Sequence, residues 1–178
     1  MEKIIDGKYI LLGRYFQDGE KKEPIRWKII KNEEGVLTLI SDLVMFNRKY
    51  DEKYCNYKNS SLRKYINEVF VKDAFNSEEL NLILDTALEE VIDKVYVPSL
   101  EELDKFDLIR YATPYAIENG ISVGDNNAAY YWTRSQYKPS YREAHPREVC
   151  YVDCDGNPDF GMVWSDDVGV VLMMRIKI

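Results

Sequence analysis

The run Pro24-Ile25-Arg26-Trp27-Lys28-Ile29-Ile30 alternates apolar and polar residues with a period of two. That is the repeat of a strand with one covered face, and it sets Ile25, Trp27 and Ile29 on that face. Pro24 suits the strand's first position, where its missing N–H costs least. Two further extended runs flank it, Lys8 to Phe16 and Val36 to Ile40. Polar turns at Asp18-Gly19 and Glu33-Glu34-Gly35 separate them. The three segments make an antiparallel meander, the simplest way to join neighbouring strands.

Asp42 to Asn59 has no clear period, and a connection of that length is a functional loop or a poorly ordered one. The clearest helix follows, with Ser60 or Ser61 as N-cap. Leu62, Tyr65, Ile66, Val69 and Phe70 form one apolar stripe along it. A second helix starts at Asn76, with Glu79 completing a capping-box variant and Leu80, Ile83 and Leu84 as its buried edge. Lys94 to Val97 reads as a strand closed by Pro98. Ser99-Leu100-Glu101-Glu102 is a better capping box and opens a third helix. Arg110 to Glu118 reads as a helix broken near Pro114 and ended by Asn119-Gly120.

Strands return in the last third: Ala129 to Ser135, Glu148 to Asp153, and a long apolar strand from Val168 to Ile178. A turn at Asp155-Gly156-Asn157-Pro158 follows the second. The order predicts an α+β fold, antiparallel sheets with helices between the N- and C-terminal strands, in a single domain over 1–178. The 178 residues are enough to bury a sizeable core. No stretch approaches the roughly 18 apolar residues of a membrane span. Met1 to Gly7 carries charges where a signal peptide places its apolar run, so the expected location is cytoplasmic.

There are 24 basic and 31 acidic residues, a net charge of -7. Nucleic-acid backbones are held by Lys and Arg that release counterions, so this balance argues against general nucleic-acid binding. Lys21-Lys22 and Arg142 with Arg147 are too sparse to make a basic patch. Three cysteines, Cys55, Cys150 and Cys154, do not form a disulfide framework. The 14 tyrosines stand out. A flat apolar ring with a polar tip suits a recognition surface and equally suits a half-buried strand.

Common chemistries fail one by one. His145, the one histidine, precedes a proline in a loop and has no base, nucleophile or ligand near it in sequence. Cys150 and Cys154 share a strand face but lie roughly 13 Å apart, too far for a disulfide. A zinc site from these two with Cys55 and His145 lacks the CxxC knuckle. Asp153-Cys154-Asp155-Gly156-Asn157-Pro158-Asp159 places oxygen side chains at alternate positions, as a calcium loop begins. Its glycine comes two positions early and Trp164 stands where the closing glutamate belongs, so a hairpin turn fits better. There is no P-loop, GxGxxG, GxSxG or HExxH.

Several segments resemble, in order and spacing, a bacterial domain-of-unknown-function family, the DUF six-two-seven-three type. They are Pro24 to Ile30, Ser60 to Phe70, Ala74-Phe75 with Glu78, Val95 to Ser99, Tyr131-Trp132-Thr133-Arg134-Ser135, and Gly169-Val170. The family pattern runs "PI-W-V", "S-x-R-x-x-L-N-x-x-F", "W-x-R-S" and "G-V-R-P-A-L". It is similar to C-type-lectin-like folds, a group that includes formylglycine-generating enzymes and the variable binding proteins of diversity-generating retroelements. The resemblance implies a lectin-like α+β fold and no particular activity. The chain departs from the pattern at Val171-Leu172, where the family has Arg-Pro. Cys150 and Cys154 do not match the cysteine pair of formylglycine-generating enzymes.

The reading that emerges is a non-enzymatic recognition domain that takes a protein or carbohydrate ligand and needs no cofactor. Its expected surface comprises Tyr130, Tyr131, Trp132, Arg134, Tyr137, Tyr141, Arg142 and Trp164. Aromatics there would stack on sugars or anchor a partner, and the arginines would supply directed donors. Core packing is an equal reading for Trp132. Two alternatives stand beside it. One is a hydrolase or transferase using carboxylates around Asp153, Asp155 and Asp166, with calcium as its metal. The other is a structural module of a larger assembly.

Overall fold

Alternation at Pro24–Ile30 belongs to a longer strand in the computed structural model, which describes residues 3–5, 7–54, 56–136 and 145–178. Strands β2 (Tyr9–Phe16), β3 (Lys22–Glu33) and β4 (Val36–Ser41) form the expected antiparallel meander, and β1 (Lys3–Ile5), which was not expected, pairs with β2 at its edge. Ile25 and Trp27 are fully buried, and Trp27 donates its indole N–H to the Leu12 carbonyl at 2.8 Å. Pro24 is the third residue of β3, not the first, and lies opposite Arg14. The β2–β3 register shifts between Leu11 and Arg14, so the missing N–H falls beside an interruption of the ladder. Gly13 forms that irregularity with φ of +69°, and a Cβ there would stand 2.6 Å from the Phe75 ring.

Over its described residues, the connection from Asp42 to Asn59 is packed into the fold. Val44, Met45, Phe46 and Tyr50 are all buried, and the segment contributes β5 (Phe46–Asn47) to a second sheet. It lacks a period because its side chains enter the core from an irregular backbone.

Ser60 caps the first helical segment by accepting a hydrogen bond from Arg63 N. The segment comprises α1 (Ser61–Tyr65), a π turn (Ile66–Phe70) and α2 (Val71–Ala74). A π turn holds more residues per turn than an α-helix and so changes the phase of the stripe. Leu62, Ile66 and Phe70 remain buried, but Val69 is 49% exposed and Val71 takes its place inside. Next come α3 (Ser77–Leu82), with Asn76 and Glu79 in a capping box, and β6 (Ile83–Leu84). Strands β7 (Thr86–Ala87) and β8 (Ile92–Asp93) pair with each other as a hairpin. Then follow β9 (Val95–Tyr96), α4 (Leu100–Leu103), capped by the Ser99–Glu102 box, and α5 (Pro114–Glu118). Pro114 opens α5 instead of breaking it, since its missing N–H is unneeded in a first turn.

The second sheet runs β12-β11-β10-β13-β5, with β10 at Tyr131–Gln136, β11 at Glu148–Val152, β12 at Pro158–Met162 and β13 at Gly169–Val170. Only its β10–β13 pair is parallel. Pro158, read as a turn residue, is the first residue of edge strand β12, where no N–H is required. The apolar run from Val168 to Ile178 is two strands, not one. β13 belongs to the second sheet, while β14 (Met173–Lys177) joins the first beside β4, with β6 and β9 on its other side. Val171 and Leu172 cross between the sheets and are fully buried. Ser41 fixes the crossing: its N–H donates to Leu172 O and its hydroxyl accepts from Leu172 N.

The fold is thus mixed α/β, with mostly antiparallel curled sheets and few helices. Residues of both large sheets share one apolar cluster. Among the described residues no helix is long and apolar enough to cross a membrane.

Candidate functional site

A cleft of about 660 Å³ opens where four separate parts of the chain meet. Its walls are the Asn56–Lys58 turn, the hairpin tip at Glu89–Val91, the start of α4 at Ser99–Glu101, and the end of β10 at Arg134–Gln136. Cys150 of β11 and Phe160 of β12 also line it.

Arg134 organises this cleft. Its side chain is only 6% exposed. Nε and Nη2 donate to the two carboxylate oxygens of Glu89 at 3.0 and 3.1 Å. Nη1 donates to Val97 O at 3.0 Å and to the Glu102 carboxylate. Burial works against the guanidinium charge, but Glu102 and Glu89 outweigh it and hold Arg134 firmly protonated. In return, the Arg134 hydrogen bond holds the Glu89 carboxyl below its usual range. A buried arginine with two such partners is geometrically fixed, and losing both would leave a charge stranded.

The surrounding residues are anchored in the same way. Arg134 N donates to Pro98 O at 2.8 Å. Ser135 Oγ accepts from Leu100 N at 2.9 Å, securing the first turn of α4. Thr133 donates to Cys150 O at 2.8 Å. The Trp132-Thr133-Arg134-Ser135 strand and the Val97-Pro98-Ser99 segment, read as separate motifs, therefore meet and lock together. A second arginine works from the helix side. Arg63 Nε reaches both oxygens of Asp93 at 3.1 and 2.8 Å, and Nη1 donates to Lys58 O at 3.0 Å. The Asp93 side chain is 1% exposed. Arg63 and Arg134 thus grip the β7–β8 hairpin from its two ends.

Of the residues expected to form a recognition surface, Arg134 lines this cleft, with its fork committed to Glu89 and Glu102. Tyr131 and Trp132 are fully buried and leave that surface. Tyr131 donates its hydroxyl to Leu108 O at 2.7 Å, and Trp132 its indole N–H to Arg48 O at 2.8 Å. Trp132 packs edge-on to Tyr50 and Tyr151. Tyr130 is half-buried, its hydroxyl 3.5 Å from Cys154 Sγ, a contact that helps push its pKa up to about 12. Trp164 is 39% exposed, with the Arg147 guanidinium over its ring, away from the cleft. Tyr137, Tyr141 and Arg142 lie outside the described residues, as does Cys55.

In the acidic loop, Asp153 accepts hydrogen bonds from Asp155 N at 2.9 Å and Asn157 N at 2.8 Å, which builds the turn. Asp166 accepts from Asn47 through its backbone carbonyl, and the Asp167 carboxylate takes the Ser122 hydroxyl. Among the described residues there is no group of three or more His, Cys, Asp or Glu placed to hold a metal ion. His145 is exposed and accepts from Arg147 N at 3.3 Å. Burial pushes the Cys150 thiol up to about 11.

Sequence reasoning missed most of the cleft: Asn56, Lys58, Glu89, Glu90, Glu101 and Gln136. Nothing in their spacing marks them, because tertiary folding alone brings them together. Ser99 and Glu102 did carry a signal, as a capping box. The box does more than start a helix, since Glu102 also holds Arg134.

A family model described as Domain of unknown function (DUF6273) matches residues 34–177. That is most of the chain, and the chain belongs to this family. Comparison with curated proteins and comparison with solved structures each give no match.

Proposed function

We propose that this member of the family is a non-enzymatic recognition domain, lectin-like in architecture, that takes a protein or carbohydrate segment in the cleft beside Arg134. The observation that carries this reading is the cleft itself. It is of ligand-binding size, and its walls are fastened from separate elements by arginine–carboxylate pairs, each with one buried partner. Its lining mixes apolar groups, Val91 and Leu100, with polar ones, Asn56, Lys58, Ser135 and Gln136. That mixture suits a ligand with both faces. The arginine forks hold the walls in place, so recognition falls to the groups around them. On this reading the domain acts in a bacterial cytoplasm and needs no cofactor.

The test is a paired screen of the full chain on a glycan array and a phage-displayed peptide library. Gln136, exposed at the cleft edge, is replaced by tryptophan to fill the space. The expected result is a ligand bound by the wild type and lost in Gln136→Trp, with the melting temperature unchanged. No binding to either collection, or binding that survives the substitution, overturns the reading.

A further inference from the structure

The β7–β8 hairpin stands apart from both large sheets. Among the described residues its strands pair only with each other, Thr86 with Asp93 and Ala87 with Ile92. Side chains hold it in place, and they hold its two ends differently. At the base, Asp93 is buried and takes a two-pronged grip from Arg63. Parting that pair would leave a buried carboxylate without its partner. At the tip, Glu89 is 65% exposed while gripping Arg134. If Glu89 leaves, water hydrates it at once. Arg134 then keeps Glu102 and Val97 O, so no buried charge is stranded.

We propose that this hairpin is a latched wall of the cleft, hinged at Asp93 and released at Glu89. Its tip stays intact as it moves, because Leu88 N donates to Val91 O at 2.8 Å within the turn. Leu88 and Val91 rest half-buried against the core, and these contacts draw the wall closed. Glu89, Glu90 and Val91 line the cleft, so release of the tip widens it on that side. The gating role rests on the recognition reading above. The latch itself does not.

Hydrogen exchange of the full chain, read by mass spectrometry, tests the latch without any ligand. In Glu89→Ala, the amides of residues 86–93 are expected to exchange about tenfold faster, while those of β14 keep their rate. Raising salt to about 1 M should move the wild type in the same direction, since the exposed Glu89 end of the pair is open to screening ions. Exchange at 86–93 that is unchanged, or that rises only in step with β14, overturns the proposal. If Glu89→Ala does not fold, the wild-type salt series decides alone. A working latch with no ligand on either screen removes the recognition reading and leaves the hinge standing.

Discussion

Arg110 is 8% exposed, yet its Nε and Nη2 meet no hydrogen-bond partner among the described residues. Among the described residues its Nη1 reaches only the neighbouring Ile109 O, at 3.3 Å. Buried donors without acceptors cost stability, and a charged one costs more than a neutral one. Arg110→Met keeps the apolar stem and removes the unmet groups. It is expected to stabilise the fold by about 1–3 kcal/mol. A lower melting temperature in the variant would show that the guanidinium holds something the fold needs. A second expectation concerns Cys150, whose thiol burial pushes up to about 11. At pH 8 iodoacetamide should modify half-buried Cys154 first and reach Cys150 only as the chain unfolds. Equal rates for the two peptides would contradict that burial. Residue types alone could not place Tyr131 and Trp132. Alternation picks out a buried face only when the other face is wet, and β10 is covered on both sides over Tyr131–Arg134.

At the scale of the element, the sequence reads well where the backbone is regular and fails where it is not. The meander, the Ser60 cap and both capping boxes were legible because short-range chemistry dictates them. The π turn was not, since the stripe is counted at 3.6 residues per turn and a π turn breaks that count. The consequence is testable. Val69→Lys should change stability by less than about 0.5 kcal/mol, whereas Phe70→Ala should cost about 3–5 kcal/mol. Denaturant melts of the two variants check this, and a large cost at Val69 would restore an unbroken α-helix. The segment from Asp42 to Asn59 hides its order similarly. Asp51 holds it by accepting from Lys53 N at 2.8 Å, Tyr54 N at 3.2 Å and Ser61 N at 2.9 Å. Burial opposes the carboxylate, but these backbone donors outweigh it and hold its pKa below the usual carboxylate range. A group with a depressed folded pKa stabilises the fold fully above its unfolded value and loses that effect as pH falls through the folded one. Asp51→Ala should therefore cost about 1–3 kcal/mol near pH 7. The gap to the wild type should begin to narrow below about pH 4 and close only once pH has fallen through the lowered folded pKa. A gap independent of pH would assign the loss to packing instead.

Across the whole molecule, the two large sheets depend on one short crossing. β13 and β14 are separated only by Val171 and Leu172, and the three parts together read as one apolar run. A buried strand and a buried crossing have the same composition, so sequence could not divide them. The site was hidden for a related reason: its walls come from residues far apart in the chain. The crossing also couples the sheets mechanically. Gly169 lies where β13 passes between β10 and β5. A Cβ there would stand 2.2 Å from Val44 Cγ1, 2.4 Å from Ile121 Cδ1 and 2.9 Å from Tyr130 O. Backbone blocks one side, so Gly169→Ala must push β13 out of register with its neighbours. The expected cost is about 1–3 kcal/mol. Because Leu172 is tied to Ser41 of β4, the strain reaches the first sheet as well. Amides of β4 and of β11 should then gain exchange together and by the same factor, as expected of one cooperative unit. Faster exchange confined to β11 would mean that the sheets open independently, and the crossing would be only a tether.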